Sequence, residues 1–201
     1  MLGRVRMLLW ALVGLVAIGG AYLALNRSGP GTPALSNDGL PLDTIGGPFT
    51  LVGSDGQPFS SSRLAGKPAA VFFGFTNCPD VCPTTLARLA NLREQLGRGD
   101  DGFSIVFITV DPERDRPQDV GRYAGLFNTP IIGLTGSPAQ VERVKKQFGV
   151  YSAKVPTPGG GYSVDHTATV FLLDRNGKFV ATLSPDEANG PALDKLRRIA
   201  A

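Results

Sequence analysis

The sequence predicts an α/β sandwich with a mixed central sheet and an N-terminal hairpin, preceded by one transmembrane helix. Three observations carry this expectation. Apolar runs of strand length, at residues 69–75 and 103–110, alternate with stretches of helical spacing, the pattern of central strands covered on both faces. The chain closes on a strand–turn–strand signal and a last helix. Residues 7–25 hold no charged side chain.

That first run is nineteen residues long and as a helix would extend roughly 28 Å, close to a bilayer core. Trp10 and Tyr22 stand near its two ends, where amphipathic aromatics prefer the membrane interface. Arg4 and Arg6 with the α-amino group outweigh Arg27, so residues 1–6 are expected in the cytoplasm. A cleaved secretory signal is the alternative, but the run exceeds the usual length of about 7–15 residues and no clear Ala-x-Ala site follows. Either way the rest of the chain leaves the cytoplasm. Six residues before the anchor are too few for an organelle transit peptide, so the expected setting is a bacterial inner membrane with the domain in the periplasm. Residues 26–46, rich in Gly, Pro, Ser, Thr and Asn, read as a flexible tether reaching roughly 25 Å, and residues 47–201 as the domain.

Charge points away from nucleic acid. The formal net charge is +3, yet Arg4, Arg6 and Arg27 precede the first acidic residue, Asp38, and leave seventeen basic side chains against seventeen acidic ones. No basic face remains for phosphate binding.

Within the domain, Phe49 to Val52 and Pro58-Phe59 flank the turn Ser54-Asp55-Gly56 as a hairpin, and a short helical turn follows at residues 60–64. The strand at 69–75 runs into Cys78 and Cys82, and a helix opens at Pro83, a good first helical residue. Leu86, Leu89, Leu92 and Leu96 form its apolar stripe, and Gly97 and Gly99 end it. The strand at 103–110 leads to a helix over 118–127, a short strand at 131–134 and a helix started by Ser137-Pro138. Residues 150–165, with Pro156, Pro158 and three glycines, read as a long loop flanked by Tyr151 and Tyr162 as packing residues. A strand at 167–173, the turn Arg175-Asn176-Gly177, a strand at 179–183 and a helix over 186–199, kinked or restarted at Pro191, complete the chain. Strand, cysteines, then helix at the first βα junction is the thioredoxin-like arrangement, whose helix N-terminus would stabilise thiolates.

Cys78 and Cys82 are the only cysteines and His166 the only histidine. Helical residues four apart have Cβ atoms about 5–6 Å apart, wide for a disulfide, which wants roughly 3.5–4.5 Å and stays open with some adjustment where Pro79 loosens the backbone, so the spacing leans modestly towards a shared metal ion. If the strand after His166 neighbours the 69–75 strand, the imidazole lies over both sulfurs. Two thiolates and one imidazole fall short of the four ligands of structural zinc and suit copper, Cu(I) above all, though zinc stays open. Asp165 is a candidate to orient the ring, and Asp80 and Asp111 are candidates to tune the site, each with a plain reading as a turn residue.

Three segments resemble the signatures of the Sco/SenC family: Phe75-Thr76-Asn77-Cys78-Pro79-Asp80-Val81-Cys82-Pro83-Thr84-Thr85-Leu86, Thr109-Val110-Asp111-Pro112-Glu113-Arg114-Asp115 and Val164-Asp165-His166-Thr167-Ala168. The resemblance implies a membrane-anchored, thioredoxin-like copper-binding factor with copper on Cys78, Cys82 and His166. It also implies a role in supplying, or reductively preparing, the dinuclear copper site of a cytochrome c oxidase subunit, with other copper chaperones or thioredoxin-like reductants as further partners. Asn77 stands where many members carry histidine, which removes an accessory nitrogen. The competing expectation is a thiol-disulfide oxidoreductase cycling Cys78 and Cys82. Against it, three residues rather than two separate the cysteines, and Ala168 stands where such enzymes place a proline. A peroxidase reading of Val81-Cys82-Pro83-Thr84 is weaker still, because Pro79 replaces the threonine it needs.

Overall fold

The computed structural model describes residues 45–200. The expected cytoplasmic segment 1–6, anchor 7–25 and tether up to residue 44 lie outside the described residues. Among those described, no helix is long and apolar enough to cross a membrane. Ile45 is buried, and Gly46 bridges to Lys178 and donates its amide to the Gln147 carbonyl at 2.7 Å.

Two short strands, β1 (Thr50–Gly53) and β2 (Pro58–Ser60), form the expected hairpin, and a 3-10 turn follows at Ser61–Leu64. The next strand, β3 (Ala69–Gly74), is buried at all six positions. It feeds helix α1 (Val81–Gln95), and β4 (Ser104–Thr109) returns parallel beside β3. Helix α2 (Pro117–Ala124), running on into a 3-10 turn at Gly125–Phe127, leads to β5 (Ile131–Thr135), parallel to β4. Helix α3 (Pro138–Phe148) follows, then β6 (Ser152–Pro156), β7 (Tyr162–His166), β8 (Val170–Leu173), β9 (Phe179–Leu183) and α4 (Asn189–Ala200). The main sheet has the order β2-β1-β5-β4-β3-β8-β9, with β8 antiparallel to β3, and is therefore mixed as expected. β6 and β7 pair only with each other.

Local chemistry explains the boundaries. Ser137 and Gln140 form a reciprocal capping box, Pro138 takes the first helical position, and Gly149 ends α3 in the left-handed conformation at φ 67°. Helix α1 begins at Val81, two residues before the expected Pro83. Proline is tolerated there because the first turn's amides have no intrahelical acceptor. The early start places Cys82 inside the helix on the buried stripe of Leu86, Leu89 and Leu92. Pro191 likewise sits in the first turn of α4, which starts at Asn189, and produces no mid-helix kink.

The expected long loop at 150–165 is instead a β-hairpin. Its strands are mostly exposed or half-buried, so they lack the alternating apolar signal of a core strand. Residues 159–161 turn with φ of +92°, +97° and +83°, a path open in practice only to glycine. The strand after His166 is also shorter than expected, starting at Val170 rather than Thr167.

Aromatic side chains bind the layers. Phe73 meets Phe148 of α3 and Phe171 of β8 on one face, while Phe72 and Phe107 pack together on the other, where Tyr123 of α2 covers Phe107. Each fully buried phenylalanine contributes about 1.5–3 kcal/mol relative to exposure. The face carrying Phe72, Gly74 and Phe107 also receives Cys82.

Candidate metal centre

β3 ends at Gly74, and the chain turns through Phe75 and Thr76, with the Cys78 amide donating to the Phe75 carbonyl at 3.3 Å. Four residues on, the first turn of α1 brings Cys82 back over the strand end, where its backbone amide donates to Cys78 Sγ at 3.4 Å. Both thiols are free; Cys82 is fully buried and Cys78 is 9% exposed. Gly74 is what admits Cys82: a Cβ there would stand 2.7 Å from Cys82 Sγ and 2.8 Å from Phe107 Cε2.

His166 is the last residue of β7. Because β8 does lie beside β3, the imidazole arrives over the cysteines, with Nε2 3.6 Å from Cys82 Sγ. The ring stands edge-on to Phe75 at 5.6 Å and Phe72 at 6.3 Å. Its Nδ1 lies 3.1 Å from the Val164 carbonyl. A carbonyl can only accept, so Nδ1 carries the proton and Nε2 turns a lone pair towards the sulfur. The carboxylate of Asp165 is exposed and does not bond the ring; the orienting role expected of it belongs to the Val164 backbone.

Burial sets the charges. The Cys82 thiol is pushed well above its ordinary 9.0, chiefly by desolvation, with the Cys78 hydrogen bond and the nearby Cys78 and Asp115 acting the same way against a lowering backbone bond from Phe75. Burial thus opposes the thiolate that a helix N-terminus was expected to favour. His166 is lowered, again chiefly by burial, against smaller raising effects from Val164 and Asp165. Without a metal the pair is a neutral thiol beside a neutral imidazole.

Cys78 and His166 border an open cleft of about 340 Å³, with Asp80 on its rim, and Cys82 lies sealed beneath. Asp80, at the start of α1, makes no backbone cap and accepts from Thr84 Oγ1 at 3.3 Å. A soft ion fits the Cys82–His166 pair. With the bond lengths zinc takes, about 2.3 Å to sulfur and 2.0–2.1 Å to nitrogen, the 3.6 Å separation would subtend roughly 110° at an ion. Among the described residues no group of three or more His, Cys, Asp or Glu side chains is already placed to hold a metal ion.

Two acidic residues after β4 hold this assembly. Asp111 is buried, pairs with Arg114, and accepts from the Tyr162 hydroxyl at 3.0 Å. Arg114 donates to the Tyr162 carbonyl at 2.7 Å and stacks 3.8 Å from the Tyr162 ring. Tyr162 opens β7, so this knot fastens the strand that ends in His166; Asp111 is neither a plain turn residue nor a bordering group of the cleft. Asp115, not singled out from the sequence, is 1% exposed and accepts from Thr76 N at 3.0 Å, Thr76 Oγ1 at 2.6 Å and Thr109 Oγ1 at 2.5 Å. It ties the cysteine turn to β4. Its donor Thr76 stands 39 positions away, which no local pattern announces.

A family model described as SCO1/SenC matches residues 37–201. The chain belongs to the Sco/SenC family. The SCO2-like protein of Rickettsia prowazekii is 36% identical over 170 residues, 83% of either chain. Among solved structures, Bradyrhizobium japonicum ScoI with copper bound matches this Sco/SenC chain with a TM-score of 0.70 at 41% identity, covering 77% of it and 99% of ScoI. BsSco, a member of the Sco family of cytochrome c oxidase assembly proteins in which a disulfide switch has been identified, matches at 0.61 and 27% identity over 80% and 95% of the two chains. These likenesses support the thioredoxin-like fold for the Sco/SenC domain.

Proposed function

We propose that this protein binds one copper ion through Cys78, Cys82 and His166 and delivers it to, or prepares by thiol chemistry, the dinuclear copper site of a cytochrome c oxidase subunit. The observation that carries the reading is the 3.6 Å approach of His166 Nε2 to Cys82 Sγ, two soft-metal donors 84 positions apart in the chain. Two thiolates and a neutral imidazole favour copper, and Cu(I) in particular. An open cleft suits exchange of the ion with a partner. The uncharged run at residues 7–25 supports a single-pass anchor in a bacterial inner membrane, with the domain in the periplasm.

The test is a metal titration of the anaerobically reduced protein with copper and zinc in competition. One copper per chain is expected, bound in preference to zinc, with release of the Cys82 proton. His166→Ala should weaken copper by at least about tenfold while both thiols still react with alkylating reagent. Unchanged affinity and spectrum in that variant, or preference for zinc, would refute the three-ligand site.

A second reading has its own support. The Cys82 amide to Cys78 Sγ contact of 3.4 Å places the two free thiols side by side. As a reductant the protein would pass two electrons to a partner disulfide, yielding two partner thiols and a Cys78–Cys82 disulfide. Failure of the copper-free reduced protein to reduce an oxidised oxidase copper-site domain would remove this role.

A further inference from the structure

The described chain begins at Ile45, and it begins in a fixed place. Ile45 is buried, Gly46 forms an antiparallel bridge to Lys178, and the Gly46 amide donates to the Gln147 carbonyl. Gly46 and Gly47 then take φ of +89° and +113°, a path that favours glycine and swings the chain away from β9 towards β1. The bridge also sets a direction for what precedes it. In an antiparallel pair each step back along one strand is a step forward along the other. A chain continuing the Gly46–Lys178 pairing would set Thr44 opposite Val180 and Leu42 opposite Thr182. β9 is the outermost strand of the main sheet, and among the described residues β8 is its only strand partner. Such an edge is open to one more strand. Val180 on it is 50% exposed, and Leu42 would lie diagonal to it on the same face.

Two further observations name the occupant and its limit. The family model begins at residue 37, ahead of Ile45, so the pattern common to Sco/SenC proteins takes in a stretch that the sequence alone assigned to the tether. At the far end, the Thr182 carbonyl already accepts from Lys195 Nζ at 2.9 Å. The same counting brings Pro41 opposite Leu183, and proline, with no N–H to donate, suits the first residue of a strand. We propose that residues 41–45 of this chain dock on the outer edge of β9 as an antiparallel strap, with Leu42 covering Val180. Five residues at about 3.4 Å each carry the strap roughly 17 Å along the sheet. It runs from the Lys178 end, where Leu173 pairs with Ala69, to the Leu183 end, where Val170 pairs with Phe72, two residues before Gly74. The tether is thereby rooted at the end of the sheet that carries the cysteines rather than at the opposite one. This inference goes beyond the copper reading and does not depend on it.

The test uses the full chain in detergent. In a background of Cys78→Ser and Cys82→Ser, where no metal chemistry can intervene, Thr44→Cys is combined with Val180→Cys or with Asn176→Cys. Both of these positions lie two residues from Lys178, so a segment that only trails from Gly46 would reach either. A docked strap should form the disulfide to position 180 at least about tenfold faster than to position 176. In the chain with its own cysteines, Leu42→Asp should quicken amide exchange at residues 179–182 by at least about tenfold and leave β6 unchanged. Equal cross-linking at the two positions, or exchange in β9 that ignores Leu42→Asp, overturns the proposal. So does protection of β9 that rises with protein concentration, which would put a second copy of the chain on this edge. Should Leu42→Asp disturb the whole domain, the cross-linking rates, measured with Leu42 in place, decide the matter.

Discussion

Replacing Gly74 by alanine should damage the metal site more than the fold. The new Cβ would stand 2.7 Å from Cys82 Sγ, 2.8 Å from Phe107 Cε2 and 3.1 Å from Phe72 Cε1. Ordinary contacts of this kind are about 3.5–4.0 Å, so the sulfur must retreat by about 1 Å, several times the ±0.2 Å within which metal–ligand distances normally fall. Overpacking a core costs about 1–3 kcal/mol, a fall in Tm of roughly 2–12 °C for a domain of this size. Gly133→Ala supplies the control, because its Cβ would meet Val120 Cγ1 at 2.6 Å on β5, away from the cysteines. Both variants should lose comparable stability in urea. Only Gly74→Ala should also lose copper affinity, by more than about tenfold per folded molecule. If both kept normal affinity, or both lost it equally, the claim that Gly74 exists to seat Cys82 would be wrong.

Asp115→Asn should lower stability by about 2–3 kcal/mol, since an amide NH2 would face donors, and should shift the copper absorption spectrum as the cysteine turn loosens. Tyr162→Phe removes one hydrogen bond to Asp111 and should cost about 1 kcal/mol, seen as faster amide exchange across β6 and β7. For pH, Cys82 has its folded value raised above 9.0, so its contribution is present below pH 9.0 and is lost above it, as the unfolded thiol ionises first. The copper-free protein should therefore lose stability above pH 9.0 by up to about 1.4 kcal/mol per pH unit, and Cys82→Ala should remove that slope. His166 is lowered from 6.5, so its contribution is present above pH 6.5 and fades as the pH falls below it; denaturation of His166→Gln should show a flatter acid limb.

The strands and the two thiols are legible in the sequence because their signals are local. Six apolar side chains interrupted only by Gly74 at 69–75 announce a central strand, and a single cysteine pair before a helix announces a reactive junction. The histidine hairpin is not, because Ser152–Pro156 is stabilised by its partner strand and by the Arg114 knot rather than by burial. Its prolines and glycines resemble a loop for the same reason. Asp115 and Gly74 give no local signal because their importance lies in atoms 39 and 8 positions away. The helix terminus that favours a thiolate is opposed by the desolvation of Cys82. The sequence marks both features, and only packing decides between them.

The order in which the chain is made has a bearing on its thiols. β8 and His166 both follow the cysteines by more than eighty residues, and β8 completes the flank of β3. A growing chain therefore presents Cys78 and Cys82 long before the parts that roof them over exist. Chains cut after Gly161 should be alkylated at Cys82 far faster than the finished domain, because the residues that cover this thiol from the far side all come in the last fifth of the chain.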